Sequence, residues 1–244
     1  MGRMIEIQSD KTVDAYLAEP TSKPKGAIIV IHEVWGLVDH IKSIADRFAE
    51  EGYLALAPNL LDLSEFSSDE IVQLQKDLFD PIRRAEIQLQ LRKLMAPLQD
   101  PGFGELTTQR LLSCFEYLYS NPQTEQNVGV VGYCFGGTYS FALAVAEPRL
   151  KIALPFYGHA DQPMEELSKI ACPVRAFYGQ NDEGLISKLD NLKQRMSDAH
   201  VDFIAKVYTD CGHAFFNDSN PITYNKSAAD DAWVEVKREL SRVM

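Results

Sequence analysis

The stretch VGVVGYCFGGTYS, residues 128–140, carries Cys134 where a tight turn between a strand and a helix is expected. Gly132, Cys134 and Gly136 have the spacing of a nucleophile flanked by glycines, and such a turn leaves no room for side chains beside the reactive one. At the N-terminus of the following helix a thiolate is favoured by the helix dipole. The same spacing occurs in glycine-rich turns that do no chemistry, with the cysteine a packed small side chain. Two later stretches favour the chemical reading. In VRAFYGQNDEG, Asp182 lies just past an apolar strand, and in VYTDCGHAFFND, His213 lies in a loop after the last predicted strand. A cysteine nucleophile needs an imidazole to take its proton and a carboxylate to orient that imidazole. A single strand-end aspartate is often a turn residue, and a single loop histidine is often solvated. Three strand ends occupied in the order Cys134, Asp182, His213 are harder to explain that way. His32, His40, His159 and His200 lack this placement, although His32 adjoins another loop of interest.

That loop is VIHEVWGL, residues 30–37. It follows an apolar strand and can supply one N–H to a developing oxyanion, the residue after the nucleophile supplying the other. Glu33 within it opposes negative charge. It is expected either to hold the thiol or its proton, or to be an ordinary solvated loop glutamate.

These residues need a scaffold, and the rest of the chain reads as one. AIIVIH (27–32), YLALAP (53–58), NVGVVGY (127–133), IALPFYG (152–158), VRAFYG (174–179) and VDFIAKVY (201–208) are strand candidates, mostly apolar on both faces. Helical patterns over 39–51, 68–95, 105–120, 137–147, 184–198 and 223–241 alternate with them. The alternation predicts an α/β doubly wound, mostly parallel sheet covered by helices on both sides. IEIQ and VDAYLA alternate in polarity and predict an antiparallel edge pair. With no repeat or linker to divide the chain, a single domain over 1–244 is expected. The irregular segment 59–104 is expected as an insertion over the carboxyl edge of the sheet, where open α/β sheets bind ligands.

Composition narrows the partners. A net charge of -11, from 35 acidic against 24 basic residues, repels phosphate backbones and anionic bilayers, so neither nucleic acid nor membrane is an expected partner. The opening residues hold no apolar run long enough for a signal peptide or a spanning helix, and Glu6 breaks the myristoylation pattern after Gly2. A cytoplasmic location is expected, with Cys114, Cys134, Cys172 and Cys211 as free thiols and no finger-type metal spacing.

Taken together, HEVWG, VGYCFGG, YGQND and CGHAFF resemble, in their order, the motifs of the dienelactone hydrolase family of α/β-hydrolases, a resemblance covering roughly residues 5–240. It implies an α/β-hydrolase fold of about eight strands and hydrolysis of small esters or lactones without a cofactor or metal. By the same resemblance Cys134 is the nucleophile, His213 the base and Asp182 the orienting acid. Val34 and Phe135 would give the oxyanion-hole N–H groups, Glu33 would modulate the thiol, and Trp35 and Asn217 would meet the substrate. One departure stands out. Members specific for dienelactone carry a carboxylate-binding arginine four positions after the histidine, and Asn217 is here instead. Arg83, Arg84 or Arg92 would have to reach the pocket to replace it, whereas arginines on a polar helix are usually solvated. A neutral small ester or lactone is therefore the expected substrate. A thiolate leaves readily from a tetrahedral intermediate, so activated acyl groups suit it better than amides. A non-catalytic small-molecule binding protein of this fold and a thiol redox protein remain the alternatives. Against the second, no resolving cysteine sits at CxxC spacing.

Overall fold

Successive residues of AIIVI are buried on opposite sides: Ile29 and Ile31 join one apolar cluster, Ile28 and Val30 another. A strand with two covered faces belongs inside a sheet sandwiched by helices. The computed structural model describes all residues except 1, 9–11, 62, 64, 65, 79 and 81, and of Ser68 only the backbone. Its strands are β1 (Arg3–Ile7), β2 (Val13–Ala18), β3 (Ala27–Ile31), β4 (Leu54–Pro58), β5 (Val128–Tyr133), β6 (Ala153–Phe156), β7 (Val174–Gly179) and β8 (Phe203–Tyr208). They form one eight-stranded sheet in the order β1-β2-β4-β3-β5-β6-β7-β8. β1 and β2, and β2 and β4, pair antiparallel; every other neighbour is parallel, so the doubly wound sheet and its antiparallel edge are as predicted.

One face is covered by α1 (Asp39–Glu50), through Ile41, Ile44 and Phe48, and by the last helix, α9 (Lys226–Val243), through Ala232, Trp233 and Val236. The other is covered by α5 (Phe103–Tyr119), α6 (Phe135–Ala146) and α8 (Glu183–Asp198). A short α7 (Met164–Leu167) lies between β6 and β7. No described helix is long and apolar enough to cross a membrane.

The single helix expected over 68–95 is instead three: α2 (Ser68–Asp77), α3 (Arg83–Glu86) and α4 (Gln88–Met95). The sequence around the break explains it. A proline at 81 has no N–H to continue the helical ladder and disfavours helical backbone at Asp80 before it. Asp80 restarts the chain as a cap, its Oδ1 accepting the N–H groups of Ile82 at 2.8 Å and Arg83 at 3.2 Å. α2 starts on a reciprocal capping box. The Ser67 Oγ accepts the Glu70 N–H at 3.2 Å, and the Glu70 carboxylate accepts the Ser67 N–H at 2.8 Å. A 3₁₀ turn over Ala96–Gln99 then leads this segment to the N-terminus of α5.

Candidate active site

β5 ends at Tyr133, and the next residue, Cys134, adopts φ 55° and ψ -110° before α6 begins at Phe135. The glycines permit this turn by contact. A Cβ on Gly132 would come within 2.0 Å of the Gly136 carbonyl oxygen, and one on Gly136 within 2.3 Å of the Ile31 carbonyl oxygen. The turn is therefore pressed against the end of β3, where the Gly136 N–H donates to the His32 carbonyl at 3.0 Å.

Asp182 and His213 arrive from β7 and β8, whose exit loops are laced together. The Gln180 N–H donates to the Tyr208 carbonyl at 2.9 Å and the Asn181 N–H to the Cys211 carbonyl at 2.8 Å. Gly179 lets the two loops close, because a Cβ there would lie 2.4 Å from the Gly212 carbonyl oxygen. With the backbones fixed, His213 Nδ1 lies 2.5 Å from Asp182 Oδ2. Burial opposes charging of His213; the hydrogen bond to Asp182, the interaction with Cys134 and the charges of both outweigh it and raise its pKa to about 10. His213 and Cys134 share the wall of one cavity of about 460 Å³.

Val34 and Phe135 line that cavity too. Among the described residues, neither of their N–H groups has a hydrogen-bond partner, although Gly36 and Gly136 beside them do. Two N–H donors without a protein partner, from residues that share a cavity wall with a thiol, suit a developing oxyanion. The remaining wall is apolar or weakly polar: Leu98 and Phe103 from the mid-chain segment, Thr138 and Tyr139 from α6, Tyr157 just after β6, and Leu185 from α8. His159 completes it, with Nδ1 3.3 Å from the Thr138 hydroxyl and Nε2 3.1 Å from Asp161 Oδ2.

Glu33 is not a solvated loop residue; it is 2 % exposed. Its Oε2 accepts the Asn217 amide N–H at 2.6 Å and its Oε1 accepts the Tyr157 hydroxyl at 3.3 Å. Asn217 is 0 % exposed and does not line the cavity, contrary to its expected contact with substrate. Ser219 donates to Asn217 Oδ1 from both N–H and Oγ, at 3.0 and 2.6 Å, which aims the amide donor at Glu33. Trp35 also departs from expectation. At 5 % exposed it packs with Ile71, Leu74, Ile87 and Leu94 beneath α2 and α4, away from the Cys134 cavity. Arg83, Arg84 and Arg92 are exposed and none lines the cavity; Arg83 pairs with Asp77 at 3.3 Å. Sequence reasoning overlooked Tyr157, which follows the C-terminal end of β6. The rule that ligands gather at the carboxyl ends of parallel strands was the signal available for it. Its ring centre lies 5.0 Å from that of His213. Among the described residues, no group of three or more His, Cys, Asp or Glu side chains is arranged to hold a metal ion.

Comparison with known proteins gives the following. The sequence model of the Dienelactone hydrolase family matches residues 13–244. The "Putative carboxymethylenebutenolidase" of Saccharolobus solfataricus is 35% identical over 245 residues, covering 95% of this chain and 94% of the relative. Among solved structures, the "Putative Dienelactone Hydrolase" of Klebsiella pneumoniae superposes with a TM-score of 0.81 at 22% identity, over 99% of this chain and 98% of that one. A dienelactone hydrolase-like promiscuous phosphotriesterase from metagenomic libraries gives 0.76 at 18% identity, over 100% of this chain and 98% of that one.

Proposed function

The chain belongs to the dienelactone hydrolase family and is a carboxymethylenebutenolidase-like hydrolase, and from that premise we propose that it cleaves small neutral esters or lactones through an acyl–Cys134 intermediate. The observation that carries the proposal is His213, held at 2.5 Å by Asp182 on a cavity wall shared with Cys134. In the first step His213 holds the proton given up by the thiol, and the sulfur attacks the substrate carbonyl. The resulting imidazolium is stabilised by Asp182, in keeping with the raised pKa of His213. Negative charge builds on the carbonyl oxygen, which the Val34 and Phe135 N–H groups are free to receive. The intermediate collapses with loss of an alkoxide, or opening of a lactone ring, and His213 returns the proton to the leaving oxygen. Water, deprotonated by His213, then hydrolyses the thioester and frees Cys134.

Neutral substrates are favoured because no lysine or arginine lines the described cavity, and an unpaired carboxylate placed there is costly. The test uses p-nitrophenyl acetate and butyrate with the wild type and Cys134→Ala. The wild type should release a burst of nitrophenolate and carry an acyl mass increment on Cys134. Cys134→Ala should lose the increment and on the order of 10³-fold or more in kcat/KM. Hydrolysis that survives in Cys134→Ala rules the nucleophile out. Asp182→Asn should keep the fold yet lose roughly 10³-fold in kcat, because His213 would lose its orienting partner.

A further inference from the structure

We infer that His32 is a positioning residue that directs the Val34 N–H toward the oxyanion. This rests on the acyl–Cys134 reading and assigns within it a side chain that the cavity wall does not include.

The ring's protonation state follows from its partners. The Leu60 N–H donates to His32 Nε2 at 3.0 Å, so that nitrogen must offer a lone pair. The proton of the neutral ring is then on Nδ1, which lies 2.6 Å from the Glu33 carbonyl oxygen and donates to it. His32 is wholly buried, and burial lowers its pKa to about 4, which keeps the ring neutral under ordinary conditions.

The Glu33 carbonyl and the Val34 N–H belong to one planar peptide group and point to opposite sides of it. Fixing the oxygen therefore fixes the direction of the N–H. The Gly36 N–H reaches the same carbonyl at 3.1 Å and closes the turn. On its other side, His32 holds the segment that carries the second donor. Its own carbonyl accepts the Gly136 N–H at 3.0 Å, and its ring stacks on Phe135 with centroids 5.5 Å apart and planes 10° apart. One buried imidazole thus joins the peptide of Val34 to the turn of Phe135. A donor works only when it lies close to where the oxyanion forms, and losing one such donor costs about 10²–10³-fold in kcat.

Two amide variants separate the two ring bonds. In His32→Asn the amide nitrogen takes the place of Nδ1 and can still donate to Glu33. In His32→Gln the longer side chain reaches the place of Nε2, so the bond from Leu60 can form while the one to Glu33 is lost. With a p-nitrophenyl ester, His32→Asn should keep kcat within about threefold of wild type, whereas His32→Gln should lose roughly 10²-fold in kcat with KM little changed. Alkylation of Cys134 by iodoacetamide forms no oxyanion and should proceed at the wild-type rate in both. Equal losses, a greater loss in His32→Asn, or alkylation slowed in step with kcat would overturn the inference and leave His32 a structural bridge. Should His32→Gln fail to fold, a folded His32→Asn with kcat down a hundredfold overturns it equally. Wild-type hydrolysis that does not depend on Cys134 overturns the parent reading, and this inference with it; Cys134-dependent hydrolysis with equal losses overturns the inference alone.

Discussion

Cys134 sits at φ 55° and ψ -110°, a backbone region that side chains disfavour by about 1–3 kcal/mol. Exchanging the thiol for hydrogen tests whether that strain is present. Cys134→Gly and Cys134→Ala both remove the sulfur, but only glycine accepts the backbone geometry freely. Cys134→Gly should therefore be the more stable of the two by about 1 kcal/mol in urea unfolding, despite the greater freedom glycine has when unfolded. An alanine variant of equal or greater stability would show the turn to be relaxed. The cysteine and its glycines were legible in the sequence because the turn is local, and local crowding dictates which residues it admits. Asn217 and Glu33 were not legible as a pair. They stand 184 residues apart in sequence, and only the folded loops show that the amide serves the carboxylate rather than the substrate. Trp35 misled for a related reason: what packs over a loop aromatic comes from α2 and α4, far along the chain.

At the scale of elements, His32 fastens the end of β3 to Leu60, just beyond β4, by accepting its N–H. The bond requires the neutral ring, so acid should loosen it. Burial lowers the His32 pKa from 6.5 to about 4. Between those values the unfolded chain binds a proton that the folded one does not. The contribution is thus intact above about pH 6.5 and is lost as pH falls toward 4. Comparing urea unfolding at pH 7 and pH 5, the wild type should lose about 2 kcal/mol more than His32→Asn, which has nothing to protonate there. An identical pH response in both would show that His32 does not contribute to acid sensitivity. The mostly parallel sheet was readable because its buried strands are apolar on both faces, and the antiparallel edge because its strands alternate in polarity. The single helix over 68–95 was misread. Helical propensity extends across the segment, and the Asp80–Pro81 pair that divides it is a two-residue signal inside a long favourable run.

For the molecule as a whole, a net charge of -11 surrounds a cavity whose described wall holds no lysine or arginine. Both features act against anionic substrates, the first at a distance and the second on contact. A carboxylate-bearing lactone should show kcat/KM at least about tenfold below that of its methyl ester, and added salt should narrow the gap by screening the long-range part. A preference for the acid, lost on replacing Arg83, Arg84 or Arg92, would mean that one of these exposed side chains reaches the substrate. The cavity wall has a further property. Cys134, Phe135, Tyr157 and His213 lie at the ends of sheet strands or the start of α6, whereas Leu98 and Phe103 come from the insertion and the first turn of α5. On the proposed mechanism, the parts that react and part of what selects are thus inherited on different stretches of chain. Replacing residues 96–103 alone would expose descendants of this protein to new acyl groups while the reacting groups passed on unaltered, so a lineage could diversify in diet before it diversified in chemistry.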